Sequence, residues 1–442
     1  MGGSQPTPTR TGPAGETGCG RASFQLRGRT TPDRVRTTRG YLLLRKLTLI
    51  AALVVVLAVA LAALQLLRPL PRLELVAVGA SAVTVPGAAP ALPWPTTGEA
   101  DVAVAGIGTV GSSGGDQPEA IGSLAKIMTA LLVLKARPLG PGASGPTLTI
   151  TSQDVATYQA DLAGGQSVVA VAAGEQLSEL QLLQSLLLPS GNNIATLLAD
   201  WDAGSQGAFV ADMNHMAAQL GLGHTHYADA SGLSPATVSD AQDQTRLAEV
   251  AMANRPFAGI VAMPQVTLPV AGVAYNVNGL VTHDGIVGVK TGSTPQAGGC
   301  YVFSAERVVG GRPVTIIGAV LGQGGTSILT SALDAGEALI NATSSALTDL
   351  IVVPTGGEVG RVASPWGGGV ALQANRGIAL VGWPGLVFHL RLASLRLGST
   401  LRRGVKVGGL QVRVGATVVA REEISSPGAI TGPSLRWRLT ML

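Results

Sequence analysis

The chain has 442 residues, which is long enough for two or three domains with a large buried core. A composition that is 46% hydrophobic and 13% charged excludes a wholly disordered protein, and 60 Gly and 26 Pro indicate many turns. Residues 1–46 hold nine Lys and Arg against Glu16 and Asp33, which leaves 21 basic and 24 acidic side chains for residues 47–442. Because this body is mildly acidic, the composition predicts no nucleic-acid partner.

Residues 47–67, with the sequence LTLIAALVVVLAVALAALQLL, carry no charge. A helix of this length crosses roughly 30 Å of hydrocarbon, and the basic residues before it favour a cytoplasmic N-terminus with the rest of the chain exported. A cleaved signal peptide is the alternative, but its apolar core normally runs about 7–15 residues. We therefore expect an uncleaved single-pass anchor. Cys19 and Cys300 then lie on opposite sides of the membrane and cannot pair.

The regions flanking this run differ in composition. Residues 1–46 are rich in Gly, Thr, Pro and Arg and are expected to be a disordered cytoplasmic tail. Residues 68–98 contain six prolines and are expected to be a stiff spacer. After the spacer, the pattern predicts one strand over 100–110 and helices over 123–135, 177–188 and 205–220.

Three strands follow late in the chain, at 285–294, 298–308 and 312–322, and a helix at 326–343 closes this region. Sheet strands placed between earlier and later helices predict an α+β fold, in which an antiparallel sheet is flanked by helices and an all-helical subdomain. We expect this domain to cover residues 99–345. Short β-branched runs between Gly and Pro predict a separate all-β module over residues 350–442.

Three short motifs stand in a fixed order along the predicted domain: Ser123-Leu-Ala-Lys126, Ser190-Gly-Asn192 and Lys290-Thr291-Gly292. Each has an ordinary structural interpretation, since a serine near a helix start is a frequent cap. In the same way, Ser190 or Asn192 would cap the helix that begins NNIATLLADW. It is the order that is unusual, because the motifs fall on a helix start, an interhelical turn and a strand.

The residue types of these motifs make chemical sense together. Side chains three apart on a helix share a face, so Lys126 can contact the Ser123 hydroxyl. A serine is a weak nucleophile until a base removes its proton. A lysine serves as that base near neutral pH only if burial and a nearby cation lower its pKa, and Lys290 is the candidate cation.

Four stretches extend the similarity beyond the motifs: SLAKIMTALL, GEQLSELQLLQSLLLPSGN, DASGLSP and GVKTGSTPQAGGCYVFSAER. Over roughly residues 90–340 the chain resembles the D-alanyl-D-alanine carboxypeptidases, the low-molecular-mass penicillin-binding proteins of the serine β-lactamase superfamily. The resemblance implies the β-lactamase/transpeptidase type of α+β fold and a peptidoglycan stem peptide ending in D-Ala-D-Ala as substrate. It also implies β-lactams as covalent inhibitors, no cofactor, no metal, and a catalytic domain on the extracytoplasmic side of a bacterial cell membrane.

The catalytic roles are carried over from this family. Ser123 would attack the carbonyl between the two D-alanines, Lys126 would accept its proton, and Ser190 would help to pass a proton to the departing amine. The backbone N–H groups of Ser123 and Ser293 would form the oxyanion hole.

The binding roles also follow from the resemblance. Asn192 would hydrogen-bond the peptide backbone of the substrate. Lys290 and Thr291 would hold its terminal carboxylate, and Gly292 would let the substrate lie against the strand.

The chain departs from the family pattern at two places. Asn193 stands where an aspartate usually follows the SGN motif, and Gln184 stands where an aromatic residue is often found. Neither change removes a catalytic atom.

Several functions remain open at this point. A DD-transpeptidase shares the acylation step, and a non-catalytic envelope scaffold could retain the fold. A β-lactamase is less favoured, because no glutamate between Asn192 and Lys290 matches the one that activates the deacylating water in class A enzymes. His215, His224 and His226 lack metal-ligand spacing and are expected to be polar surface residues.

Overall fold

The structure is a computed structural model that describes residues 34–115 and 117–441. Most of the expected tail, residues 1–33 with Cys19, therefore lies outside the described residues. The described residues up to Leu70, together with those from Pro433 onward, form one compact unit, and Pro71–Gly432 forms a second.

The first unit is built on α1, Arg34–Leu67. An 18-residue segment within its stretch Gly40–Leu67 has a mean hydropathy of 3.0 and none of that segment is buried, so by length and composition the helix can cross a membrane. The helix begins earlier than expected, because residues 34–46 continue it instead of belonging to a disordered tail. Arg and Leu are good helix formers, which explains the extension. In the same unit, Gln65 Nε2 donates to the Met441 carbonyl beside the short helix α10, Leu435–Thr440.

The second unit begins with β1 (Glu74–Ala77) and β2 (Ala82–Thr84), and the α+β part follows. Its strands are β3 (Glu99–Val104), β4 (Gly108–Ser113), β5 (Glu119–Ala120), β6 (Thr147–Thr149), β7 (Gln176–Ser178), β8 (Val238–Ser239), β9 (Gln265–Leu268), β10 (Gly272–Tyr275), β11 (Ile286–Thr294), β12 (Gly298–Val309) and β13 (Arg312–Gln323). Its helices are α2 (Ala125–Ala136), α3 (Ser152–Ala163), α4 (Glu179–Leu187), α5 (Asn192–Ala203), α6 (Gln206–Leu220), α7 (Ala241–Met252), α8 (Arg255–Val261) and α9 (Ile328–Ala346).

The main sheet has the strand order β11-β12-β13-β3-β4, and every neighbouring pair is antiparallel. One apolar core joins one face of the sheet to α2, α4, α5, α6, α7 and α8. The other core contains the opposite face, α9 and the C-terminal strands. This arrangement confirms the predicted α+β fold. It also leaves β11 at an edge of the sheet, with one side of its backbone free of a strand partner among the described residues.

Local predictions failed where a turn was missed. The single strand expected over 100–110 is the hairpin β3–β4, because Ala105, Gly106 and Ile107 form a tight turn in which the Ile107 N–H donates to the Val104 carbonyl. Three helices, α3, α7 and α8, were not predicted from the sequence. These are short or strongly polar helices whose caps carry the signal, such as the Thr151 and Asp154 capping box of α3.

The C-terminal region is all β, with strands β14 (Thr348–Val353), β15 (Glu358–Ala363), β16 (Gly369–Gln373), β17 (Ile378–Gly382), β18 (Val387–Ser394), β19 (Lys406–Val414) and β20 (Thr417–Ser425). Residues 68–98 do not form the free spacer that their prolines suggested. β1 pairs with β15 and β2 pairs with β18, while Leu73, Val85 and Leu92 are buried. The apolar residues between the prolines account for this difference, since they fill the core of the C-terminal strands.

One acidic side chain of the main sheet has no evident structural partner for its charge. Asp101 on β3 is 2% exposed, and its Oδ1 accepts no hydrogen bond from the described protein groups. Burial raises the pKa of Asp101 to about 7; the nearby Asp240 and Glu249 act in the same direction, and the Thr245 hydroxyl acts against them. The folded state therefore holds this carboxyl in its neutral form at mildly acidic pH.

We predict that Asp101→Asn removes a pH dependence of stability. In the unfolded chain Asp101 titrates near its ordinary pKa of about 3.9, so the free energy of unfolding should be highest below that pH and fall as pH rises to about 7. The loss should amount to a few kcal/mol at most, since one pKa unit corresponds to about 1.4 kcal/mol. Thermal unfolding of both proteins between pH 4 and pH 8 measures it. An equal slope in the variant would show that Asp101 is not responsible.

Candidate active site

Ser123 and Lys126 lie where the chain turns into α2. Ser123 belongs to a 3-10 turn, Gly122–Leu124, and Lys126 to the first turn of α2, so the α-helix begins two residues later than predicted. The turn still brings the side chains together, and Lys126 Nζ lies 2.8 Å from Ser123 Oγ. Ile121 and Leu124 occupy the N-cap positions of the 3-10 turn and of α2, so the simple interpretation of Ser123 as a cap does not hold.

Lys126 is fully buried and is held by three oxygen atoms. Besides Ser123 Oγ, its Nζ donates to Asn192 Oδ1 at 2.7 Å and to the Ser231 carbonyl at 2.9 Å. Burial lowers the pKa of Lys126 well below its usual range, and the charge of Lys290 lowers it further. A buried amine with a depressed pKa, in contact with a hydroxyl, has the properties of a base for that hydroxyl.

The third motif lies on the edge strand β11. Lys290 and Thr291 are 1% and 3% exposed, whereas Ser293 is exposed. Lys290 Nζ donates to the Thr291 carbonyl at 2.9 Å, and no carboxylate lies within ion-pair distance of it among the described residues. Burial lowers the pKa of Lys290 to about 7. The site therefore contains an ammonium group without a counter-anion, beside the free edge of a strand.

Gly292 is required for a reason that the sequence did not suggest. A Cβ at this position would lie 2.7 Å from the Ile121 carbonyl oxygen and 3.1 Å from the Ser123 nitrogen. The missing side chain thus lets β11 pack directly against the turn that carries Ser123. In the same contact, the Ser293 nitrogen faces Gly122, which brings the backbone nitrogens on both sides of this junction to the same region.

The second motif lies between α4 and α5. Gly191, not Ser190 or Asn192, occupies the N-cap position of α5, and no side chain caps it. Ser190 has a φ of 66°, and its buried Oγ has no hydrogen-bond partner among the described protein groups. Asn192 Oδ1 accepts from Lys126, and one N–H of its Nδ2 donates to Gln166 Oε1 at 2.8 Å. Because the amide nitrogen carries two N–H bonds, the contact with Gln166 uses only one of them.

Asn193 fastens the segment 166–169 to α5. Its Oδ1 accepts from the Val169 N–H at 3.0 Å and its Nδ2 donates to the Val169 carbonyl at 2.9 Å. The Asn192 N–H adds a bond to the Ser167 carbonyl at 2.8 Å. An aspartate would accept the first of these bonds but has no N–H to offer the Val169 carbonyl. The unusual Asn193 thus has a specific role in holding the segment that contacts Asn192.

The stretch 229–233 completes the site. No role was predicted for it from the sequence. The Asp229 carboxylate accepts from the Ser231 hydroxyl at 2.7 Å and from the Leu233 N–H at 2.9 Å, and this fixes the Ser231 carbonyl that accepts from Lys126. Gly232 has a φ of 79°, and a Cβ there would lie 1.7 Å from the Gly122 carbonyl oxygen. The quoted DASGLSP stretch was the available signal. Gln166 had none, since it lies in a Gly-rich turn.

The histidines do not converge on this site. His224 Nδ1 pairs with Asp240 Oδ2, and His224 is one of the exposed side chains of its segment. Within 34–115 and 117–441, no group of three or more His, Cys, Asp or Glu side chains is placed to hold a metal ion. Cys300 is buried and unpaired, and burial raises the pKa of its thiol to about 12.

Comparison with known proteins identifies the family. A family model described as D-alanyl-D-alanine carboxypeptidase matches residues 110–324. The D-alanyl-D-alanine carboxypeptidase of Streptomyces sp. strain K15 is 34% identical over 244 residues, which are 51% of this chain and 80% of that protein. This chain belongs to the D-alanyl-D-alanine carboxypeptidase family.

Other family members match shorter parts. The D-alanyl-D-alanine carboxypeptidase DacB2 of Mycobacterium tuberculosis is 39% identical over 170 residues, covering 37% of this chain and 56% of that protein. The crystal structure of the Streptomyces K15 DD-transpeptidase superimposes with a TM-score of 0.50 at 30% identity, over 59% of this chain and 98% of the other. Penicillin-binding protein 5 of Haemophilus influenzae has a TM-score of 0.57 over 77% of this chain and 99% of its own, and at 21% identity it supports the fold alone.

We predict that Asn193→Asp raises KM more than it lowers kcat. The carboxylate faces the Val169 carbonyl and leaves it without a donor, so the segment that contacts Asn192 loosens, at a cost of about 1–3 kcal/mol in stability. Steady-state kinetics on a D-Ala-D-Ala peptide, together with thermal unfolding, measure both effects.

Asn214→Asp is the matched control. Asn214 makes the same pair of bonds, to the N–H and carbonyl of Tyr227, at 2.9 and 2.8 Å. It should lose a similar amount of stability with KM unchanged. A KM that is equal in both variants would remove Asn193 from any role in substrate binding.

Proposed function

We propose that this chain is a membrane-anchored serine-type D-alanyl-D-alanine carboxypeptidase that trims the terminal D-Ala from peptidoglycan stem peptides, with Ser123 as its nucleophile. Family membership establishes the D-Ala-D-Ala carboxypeptidase class. The observation that carries the assignment of residues is the 2.8 Å contact between Ser123 Oγ and a buried Lys126 whose pKa is lowered.

Acylation needs two proton transfers, and one covalent bond forms while another breaks. Neutral Lys126 takes the proton of the Ser123 hydroxyl while Oγ attacks the carbonyl carbon between the two D-alanines. The N–H groups of Ser123 and Ser293 are the proposed oxyanion donors, and a group of this kind is typically worth about 3–4 kcal/mol. The C–N bond then breaks, the departing amine receives a proton through Ser190, and an ester of Ser123 remains.

The substrate enters along the free edge of β11 in this proposal. A peptide that pairs with an edge strand gains backbone hydrogen bonds, and Gly292 leaves that edge close to Ser123. The uncompensated ammonium of Lys290 and the hydroxyl of Thr291 bind the terminal carboxylate. Asn192 donates the second N–H of its Nδ2 to the peptide backbone of the substrate, while the first stays on Gln166.

Water hydrolyses the Ser123 ester in a carboxypeptidase, whereas an acceptor amine attacks this ester in a transpeptidase. Transpeptidation stays a candidate because the superimposed Streptomyces K15 structure is that of a DD-transpeptidase. β-Lactams acylate the same serine in either case.

The helix α1 anchors the enzyme in the bacterial cell membrane in this proposal. Its apolar stretch Gly40–Leu67 is long enough to span the bilayer once. The basic residues that precede it favour a cytoplasmic N-terminus, which puts Ser123 on the extracytoplasmic side with its substrate.

Labelling by a fluorescent penicillin tests the nucleophile. The full chain should form a covalent adduct, and Ser123→Ala should abolish it because no other atom replaces Oγ. Ser152→Ala, at an exposed position of α3, should label like the unaltered protein. Labelling that persists in Ser123→Ala would reject the assignment, and the absence of labelling in all three would favour a non-catalytic scaffold.

Product analysis separates the reactions. A pentapeptide ending in D-Ala-D-Ala should release free D-Ala without cross-linked product when an acceptor amine is supplied. Cross-linked product as the main species would establish a transpeptidase. Rapid turnover of the penicillin adduct would establish a β-lactamase.

The pH profile tests Lys290. Acylation needs neutral Lys126 and charged Lys290, so the second-order rate constant for penicillin should fall as pH rises through about 7, where Lys290 loses its proton. Lys290→Arg keeps the charge and should move this fall above pH ~9. Lys135→Arg, an exposed lysine of α2, should keep the original profile. If the fall stays near pH 7 in Lys290→Arg, another group controls it.

A further inference from the structure

The two parts of the second unit carry opposite charge. Residues 71–349 contain 9 Lys and Arg against 21 Asp and Glu, whereas residues 350–432 contain 9 against 3. The count over residues 47–442, which indicated a mildly acidic body, averaged these two parts. The C-terminal strands therefore form a strongly basic module joined to an acidic catalytic part.

Strand register collects part of this charge on one sheet face. In the sheet β2-β18-β19-β20, Arg391 lies opposite Gln411, and Gln411 lies opposite Arg421. His389 lies opposite Arg413 in the adjacent row. Because neighbouring strands are about 4.8 Å apart, three strands bring these basic side chains within roughly 10 Å of one another. We name the surface of His389, Arg391, Arg413 and Arg421 the basic face.

The basic face points to solvent. Arg391 and Arg421 are exposed, while residues of the opposite face, such as Phe388, Val412 and Ile424, are buried. Among the described residues no carboxylate lies within ion-pair distance of Arg391, Arg413 or Arg421. Glu423 lies on the same face, but it forms an ion pair with Lys406. The repulsion among Arg391, Arg413 and Arg421 is therefore not relieved by an ion pair of their own.

Covalent connection brings this sheet within reach of a lipid surface. The apolar helix ends at Leu67, and the Leu73 N–H already donates to the Gly398 carbonyl. The six residues 68–73 span at most ~20 Å. β1 follows directly, and the next strand, β2, pairs with β18, the strand that carries Arg391.

We infer that the basic face is a second membrane contact, which binds the head groups of anionic phospholipids. This inference rests on the proposed anchoring by α1. Lipid phosphates supply the negative charge that the described residues do not, and basic side chains close to an anionic bilayer are attracted strongly at moderate salt. The contact fixes the orientation of the second unit above the membrane, which the anchor alone leaves free.

Fluorescence quenching in lipid nanodiscs tests the contact with the full chain. Ala393→Cys, an exposed position two residues from Arg391, carries the fluorophore in a Cys19→Ser background, and Cys300 is buried. A nitroxide on the lipid head group is the quencher. We expect strong quenching in discs with 30% phosphatidylglycerol, and at most half of it in neutral phosphatidylcholine discs or at 0.5 M NaCl.

Two charge-matched variants give the decisive comparison. Arg391→Gln with Arg421→Gln should reduce the quenching in anionic discs at least twofold. Arg361→Gln with Arg376→Gln removes the same formal charge from exposed positions on β15 and in the loop between β16 and β17, and it should not reduce the quenching. Equal losses in both would overturn a defined face in favour of diffuse attraction. Quenching that is equal in anionic and neutral discs would also contradict the proposed contact with anionic lipids.

Two further readouts keep the outcomes distinct. Fluorescent-penicillin labelling in the same discs should be equal in all variants, so a failure of the proposed enzymatic function shows there and not in the quenching. Soluble poly(glycerol phosphate) at equal phosphate concentration should compete only weakly. If it displaces the face from anionic discs completely, the natural partner is a soluble anionic polymer and the lipid assignment is wrong.

Discussion

The burial of the Lys126 side chain is the constraint on which the rest of the catalytic part depends. An ammonium group without solvent is costly, so its three protons must be matched by oxygen atoms or be given up. The fold supplies Ser123 Oγ, Asn192 Oδ1 and the Ser231 carbonyl from three separate segments. Each segment is then fixed by contacts of its own, such as the carboxylate of Asp229 behind Ser231. The arrangement that keeps the amine buried is the same one that places it 2.8 Å from the Ser123 hydroxyl.

Much of this arrangement was predictable from the sequence, because the informative signals are local. A serine and a lysine three residues apart meet across one turn whether it is 3-10 or α, so their contact survived an error in the helix start. The antiparallel sheet and its flanking helices followed from the alternation of strand and helix patterns. The reason for a glycine at position 292 was not predictable from the sequence. It lies in the close packing of β11 against the Ser123 turn, which is a tertiary contact.

Long-range strand pairing and the distribution of charge between the two parts were also not predicted from the sequence. The prolines of residues 68–98 are typical of a spacer, and only the partner strands show that β1 and β2 belong to the C-terminal sheets. Composition counted over a whole chain likewise hides two parts of opposite sign. The mildly acidic net charge, which argued against a nucleic-acid partner, does not describe β18, β19 and β20, which carry a basic face. Charge has to be counted by structural unit before it is used to exclude partners.

The pairing of β1 and β2 has a consequence for how the chain reaches its native state. Ala77 lies opposite Gly360, and Thr84 lies opposite Val387, so these two early strands leave the ribosome long before their partners exist. Contacts so distant in sequence close slowly, because the entropy of a very long loop must be lost first. The catalytic part can fold before β1 and β2 are paired. The backbone hydrogen-bonding groups of these two strands stay unpaired until their partner strands have been synthesised. Protection of these edges by a chaperone is most needed during that interval.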